Sequence, residues 1–64
     1  MYPVHKIHQY CLFIAGDYLF PDWAKYIYAC SKEEALYKFR LKYHYQLLDF
    51  EDSDLLKMID KVTE

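Results

Sequence analysis

Glycine is almost missing from this chain: Gly16 is the only one in 64 residues. A loop that cradles phosphate with successive backbone N–H groups needs several glycines, so nucleotide-binding loops of that kind are excluded. Cysteine is nearly as scarce, and Cys11 and Cys30 are too few for a disulfide framework. Serine occurs only at Ser31 and Ser53, both in positions suited to capping helices, which leaves no spare hydroxyl nucleophile of that type. No stretch approaches the roughly 20 consecutive apolar residues of a membrane-spanning helix. The first residues also lack the charged-then-apolar order of a secretory signal. Together these absences lead us to expect a cytoplasmic protein whose two thiols stay reduced and pack as small hydrophobes. Positive charge is not in excess either. A net charge of -2 and a pI near 5.8 argue against general affinity for nucleic acid, which rests on neutralising phosphates.

What the chain does have is apolar bulk. Hydrophobic residues make up 55% of it, and eight Tyr, four Phe and one Trp supply rings that suit both cores and interfaces. That is enough apolar surface to offset chain entropy, so residues 1–64 should fold as one small domain. A domain of this size buries only about 60% of the surface its unfolded chain exposes, so its stability margin is thin. Charge is unevenly spread. Residues 25–44 carry Lys25, Lys32, Lys38, Arg40 and Lys42 against Glu33 and Glu34, whereas residues 49–64 carry six carboxylates against Lys57 and Lys61.

Residues 6–15 mix aromatic and β-branched side chains without a helical repeat, which predicts a strand. Alternation puts Ile7, Gln9, Cys11, Phe13 and Ala15 on one side and His8, Tyr10, Leu12 and Ile14 on the other. Gly16-Asp17 and Pro21-Asp22 bracket a hairpin loop over 16–22 whose Tyr18, Leu19 and Phe20 are unusually greasy. The simplest expectation is that these three fold back over the open face of the sheet; the alternative is a protruding contact point. Residues 23–30 form the second strand, with Ala24, Tyr26, Tyr28 and Cys30 opposite in direction to Trp23, Lys25, Ile27 and Ala29.

Ser31-Lys-Glu-Glu34 matches a capping box and predicts a helix over 32–48. At 100 degrees per residue, Leu36, Phe39, Tyr43 and Leu47, flanked by Ala35, form one apolar stripe. Tyr37, Leu41, Tyr45 and Leu48 form a second, which a chain this short has little material to cover. After the acidic run Asp49-Phe-Glu51-Asp52-Ser-Asp54, the residues Leu55, Met58, Ile59 and Val62 recur at helical spacing behind Ser53 as N-cap. The expected fold is therefore α+β: an antiparallel β-hairpin packed against one long helix, then a short C-terminal helix. That is ββαα, with ββαβ as the alternative. The join Tyr28-Ala-Cys-Ser-Lys-Glu-Glu-Ala35 resembles the strand-to-helix step of many small ββα proteins, phage and ribosomal ones among them. It covers eight residues, and a cap after a strand is a physical requirement in any family, so the resemblance transfers no function.

His5, His8 and Cys11 are spaced by threes, and on a strand His8 points away from the other two, so they do not converge as zinc ligands without Cys30 or His44 joining them. The segment Asp49 to Asp60 loosely resembles a calcium-binding EF-hand loop, but Asp54 stands where that loop needs glycine and Asp60 where it needs a bidentate Glu. No nucleophile, base and orienting group assemble from this sequence. The expectation is a non-enzymatic protein-binding module without cofactor, metal or small-molecule substrate, an adaptor or inhibitor of the kind phages and mobile elements encode. Its contact would be Tyr37, Leu41, Tyr45 and Leu48 with Trp23 and Phe20 beside them, and Asp49, Glu51, Asp52 and Asp54 meeting a basic site. The partner is another protein, a second copy of the chain included. The competing expectation is a single-stranded nucleic-acid binder that stacks bases on Tyr10, Tyr26 and Tyr28. A third possibility is that the last helix folds back and seals the second stripe.

Overall fold

A computed structural model describes residues 6–62 of the chain. The elements run β1 (His8–Ile14), β2 (Trp23–Ala29), α1 (Lys32–Lys42), α2 (Asp52–Met58) and β3 (Ile59–Lys61). The strands form one antiparallel sheet in the order β2-β1-β3. The architecture is thus α+β as expected, with a short third strand added after the second helix. Val62 and its neighbours do not extend α2. Ile59 pairs with Leu12 across the sheet, where its β-branched side chain packs better than on another helical turn.

The alternation read from the sequence sets the two faces. Tyr10 and Leu12 of β1 and Ala29 of β2 are buried, while Phe13, Ala24, Tyr26 and Tyr28 on the other face are exposed. Pairing is unbroken from His8 with Ala29 to Ile14 with Trp23, so no bulge disturbs that division. The largest fully buried side chains are Phe39, Leu12, Leu47, Leu55 and Ile59. Each comes from a different part of the chain, namely α1, β1, the α1–α2 connection, α2 and β3. The core therefore forms on one face of the sheet alone.

Helix α1 starts as the capping box dictates: the Glu34 backbone N–H donates to Ser31 Oγ at 3.1 Å. Glu34 reaches back one residue past the cap, its Oε1 accepting from the Cys30 backbone N–H at 3.2 Å. The helix is shorter than expected, ending at Lys42 with Tyr43 as its cap, so Tyr45 and Leu48 lie beyond it. Helical bonding fades in steps. Tyr43 and Leu47 still donate to the carbonyls four residues back, at Phe39 and Tyr43, but Phe50 donates only three residues back, to Leu47. That tightening turns the chain and drops Leu47 into the core.

The turn is fixed by one side chain. Arg40 donates from Nη1 to the Leu47 carbonyl at 3.0 Å, from Nη2 to the Phe50 carbonyl at 2.6 Å, and from Nε to Asp52 Oδ1 at 2.6 Å. The planar fork of a guanidinium is suited to three such acceptors at once. It also explains why α2 begins at Asp52 with Glu51 as N-cap, not with Ser53 in that role: the clamp holds the Phe50 carbonyl and the Asp52 side chain, and Ser53 falls inside the first turn. Arg40→Met should lower stability by about 1–3 kcal/mol, because two carbonyls lose charged donors. Arg40→Lys should not restore it, and Asp52→Ala, which removes only a largely exposed pairing, should cost less than about 1 kcal/mol. Urea denaturation of the three variants checks the ranking.

Candidate interaction surfaces

The core stripe of α1 and its continuation lie as expected, with Ala35, Leu36, Phe39 and Leu47 buried and Tyr43 packed against them. Tyr43 meets Trp23 edge-on at 5.2 Å between centroids, tying the helix end to the start of β2. The second stripe is open. Tyr37, Leu41, Tyr45 and Leu48 are 64%, 67%, 85% and 60% exposed. The C-terminal segment does not cover them: Leu55 and Ile59 are spent inside the main core, beneath α1. The stripe is also broken in two, since Tyr37 and Leu41 ride on the helix while Tyr45 and Leu48 sit on the turn after it.

The hairpin loop does not fold back over the sheet, contrary to the simpler expectation. Tyr18, Leu19 and Phe20 are 95%, 67% and 69% exposed. Two carboxylates hold the loop closed on itself. Asp17 Oδ1 accepts from the Leu19 and Phe20 backbone N–H groups at 2.8 and 3.0 Å, and Asp22 Oδ1 accepts from the Gly16 N–H at 2.7 Å. A further bond runs from the Asp17 N–H to the Phe20 carbonyl at 2.9 Å. With its polar groups satisfied locally, the loop projects its tip outward.

Phe20 and Trp23 share a cleft with Asp49, and its lining includes none of Tyr37, Leu41, Tyr45 and Leu48, the stripe beside which the sequence put them. The cleft is open, about 780 Å³ between the loop and the α1–α2 connection, and is lined also by Ile14, Pro21 and Phe50. Asp49, Glu51 and Asp54 are exposed along the connection and the start of α2, whereas Asp52 is committed to Arg40. His5 lies outside the described residues. His8 and Cys11 occupy opposite faces of β1, and among the described residues no three His, Cys, Asp or Glu side chains gather as a metal site.

Two features carry no signal in residue spacing. The first is the Arg40 clamp, whose acceptors are backbone carbonyls. The second is the outer edge of β2. The Val62 N–H donates to the Gln9 carbonyl, which stands opposite it, so the odd residues of β1 bond toward β3 and the even ones toward β2. In β2, Trp23, Lys25, Ile27 and Ala29 then bond inward, and the backbone groups of Ala24, Tyr26 and Tyr28 point away from the sheet. Lys38 confirms the parity, its Nζ donating to the Tyr28 carbonyl at 2.9 Å from outside the sheet.

No protein-family model matches this chain, and no curated protein and no solved structure matches it closely enough to report. Among the described residues, no helix is long and apolar enough to cross a membrane.

Gly16 is required by close approach, since a Cβ there would meet the carbonyl oxygens of Phe20 and Pro21, the latter at 2.6 Å. Gly16→Ala should therefore open the loop and cost about 1–3 kcal/mol. Limited proteolysis is expected to show new cleavage next to Tyr18 or Phe20.

Proposed function

We propose that this chain is a small non-enzymatic protein-binding module that acts in the cytoplasm, where Cys11 and Cys30 remain thiols. The observation that carries the reading is the exposure of Tyr37 and Leu41 on α1 and of Tyr45 and Leu48 on the turn that follows it, four large apolar side chains left uncovered. Monomeric proteins rarely leave such a surface uncovered without use, and tyrosine is a favoured anchor at interfaces. The partner is another protein, a second copy of this chain included, and the action is that of an adaptor or inhibitor. Asp49, Glu51 and Asp54 add negative charge on the connection and α2, suited to a basic site on the target.

Stacking of single-stranded nucleic acid is the weaker reading. Tyr10 is buried in the core, leaving Tyr26, Tyr28 and Phe13 as the rings of the strands on the outer face of the sheet among the described residues. No Lys or Arg of the three strands points to that face, and Asp60 stands there opposite Cys11. Phosphate would meet repulsion, not neutralisation.

The double substitution Leu41→Asp with Tyr45→Asp should abolish partner capture or self-association while leaving the circular dichroism spectrum unchanged. Unfolding of that variant would mean the stripe is core, and the reading would fall. Single-stranded oligonucleotide should not bind even at low salt; oligonucleotide binding that declines steeply as salt rises would favour the nucleic-acid reading instead.

A further inference from the structure

The two edges of the sheet are not alike. The β3 edge is three residues long and carries Asp60 and Lys61, which makes it a poor template for another strand. The β2 edge runs seven residues with no proline and no bulge. Helix α1 closes only its far end. Glu34 takes the Cys30 N–H and Lys38 supplies a donor to the Tyr28 carbonyl, so two side chains stand in for the next strand there. From Ala24 to the Tyr28 N–H the outward backbone groups have no partner among the described residues.

What lies beside that open stretch is positive. Lys25 sits over the rings of Trp23 and Tyr43, and Lys42 lies over Tyr43, each ammonium within 5.8 Å of a ring centroid. Lys38 adds a third charge, offset by Glu34 at 3.2 Å. Neither Lys25 nor Lys42 has a carboxylate at ion-pair distance among the described residues. On the opposite side of the same stretch stand the exposed rings of Tyr26 and Tyr28.

We propose that the β2 edge takes an extended acidic segment of a partner protein as a fourth strand. The inference rests on the protein-binding reading and adds the form and charge of what is bound. Main-chain bonds to Ala24, Tyr26 and Tyr28 hold the segment, and its alternate side chains face two different surfaces. Carboxylates on one side meet Lys25 and Lys42; apolar groups on the other lie against Tyr26 and Tyr28. A second copy of this chain fits this edge poorly, because twofold pairing of β2 with itself brings the positive flank of Lys25, Lys38 and Lys42 against the same positive flank of the copy.

The test uses the full chain and a capped heptapeptide of alternating Glu and Val, with a Lys–Val peptide as control. Trp23, the only tryptophan, lies on β2 and reports binding by fluorescence. The Glu–Val peptide should bind about tenfold or more tightly than the control, and less tightly as salt rises. Tyr26→Pro removes an outward N–H that serves no bond within the chain, so the variant should stay folded and lose the peptide. Lys42→Glu, at an exposed helix position, should weaken binding about tenfold and keeps the test decisive if the proline variant unfolds. The Leu41→Asp, Tyr45→Asp variant should bind the peptide as the parent does, which separates failure at this edge from failure of the helix surface. Equal binding of the Lys–Val peptide, or unchanged binding by a folded Tyr26→Pro or by Lys42→Glu, would overturn the proposal. So would light scattering that shows dimers of the parent chain dissociated by Tyr26→Pro.

Discussion

Everything in this fold is packed against one face of a three-stranded sheet. Phe39, Leu12, Leu47, Leu55 and Ile59 close a single core there, and each is contributed by a different part of the chain. With both helices committed to that side, no further element among the described residues is left to cover the other. The one-sided core is why the outer sheet face, the loop tip and the far side of α1 all carry exposed rings at once. Tyrosine suits that condition, since a half-buried ring can keep its hydroxyl in water.

Such a core needs the chain to reverse sharply after α1, and Arg40 makes the reversal affordable in hydrogen-bond terms. A turn that ends helical bonding early leaves carbonyls without donors, and a buried or half-buried carbonyl without one is costly. The guanidinium supplies two of those donors and fixes Asp52 in place, so α2 begins where Leu55 can enter the core. A polar residue on the helix flank thereby decides where two apolar residues, Leu47 and Leu55, end up.

The parts of the fold legible in the sequence are those set by local periodicity. Alternation assigned the faces of β1 and β2, the capping box placed the start of α1, and the 3.6-residue repeat found Leu36, Phe39 and Leu47. Leu47 obeyed the repeat even though α1 ends at Lys42, because the i to i−4 bonds from Tyr43 and Leu47 persist one turn past the regular helix. What the sequence did not disclose depends on individual hydrogen bonds and pairings, some across the fold and some within one loop. The reach of Arg40 ended the helix early, pairing with Leu12 converted Ile59 from helix to strand, and Asp17 and Asp22 turned a greasy loop outward. Of the surface residues, Phe20 and Trp23 share a cleft with Asp49 and not with the stripe expected beside them, and Tyr45 and Leu48 left the helix that was expected to present them.

The edge of β2 shows how a short chain limits an exposure it cannot remove. A free strand edge invites indiscriminate pairing, and a fourth strand would be the complete remedy. Here α1 provides a partial one, because the capping box that starts the helix also places Glu34 at the last outward N–H of the edge, and one turn later Lys38 reaches the last outward carbonyl. The same two positions form an i, i+4 ion pair, so each side chain orients the other while it occupies the backbone. One turn further on, Lys42 lies over the Tyr43 ring beside the start of β2 and takes no backbone carbonyl of the edge. Ala24 and Tyr26 therefore stay open, and the lysines flanking them disfavour a like-charged edge as the strand that pairs there.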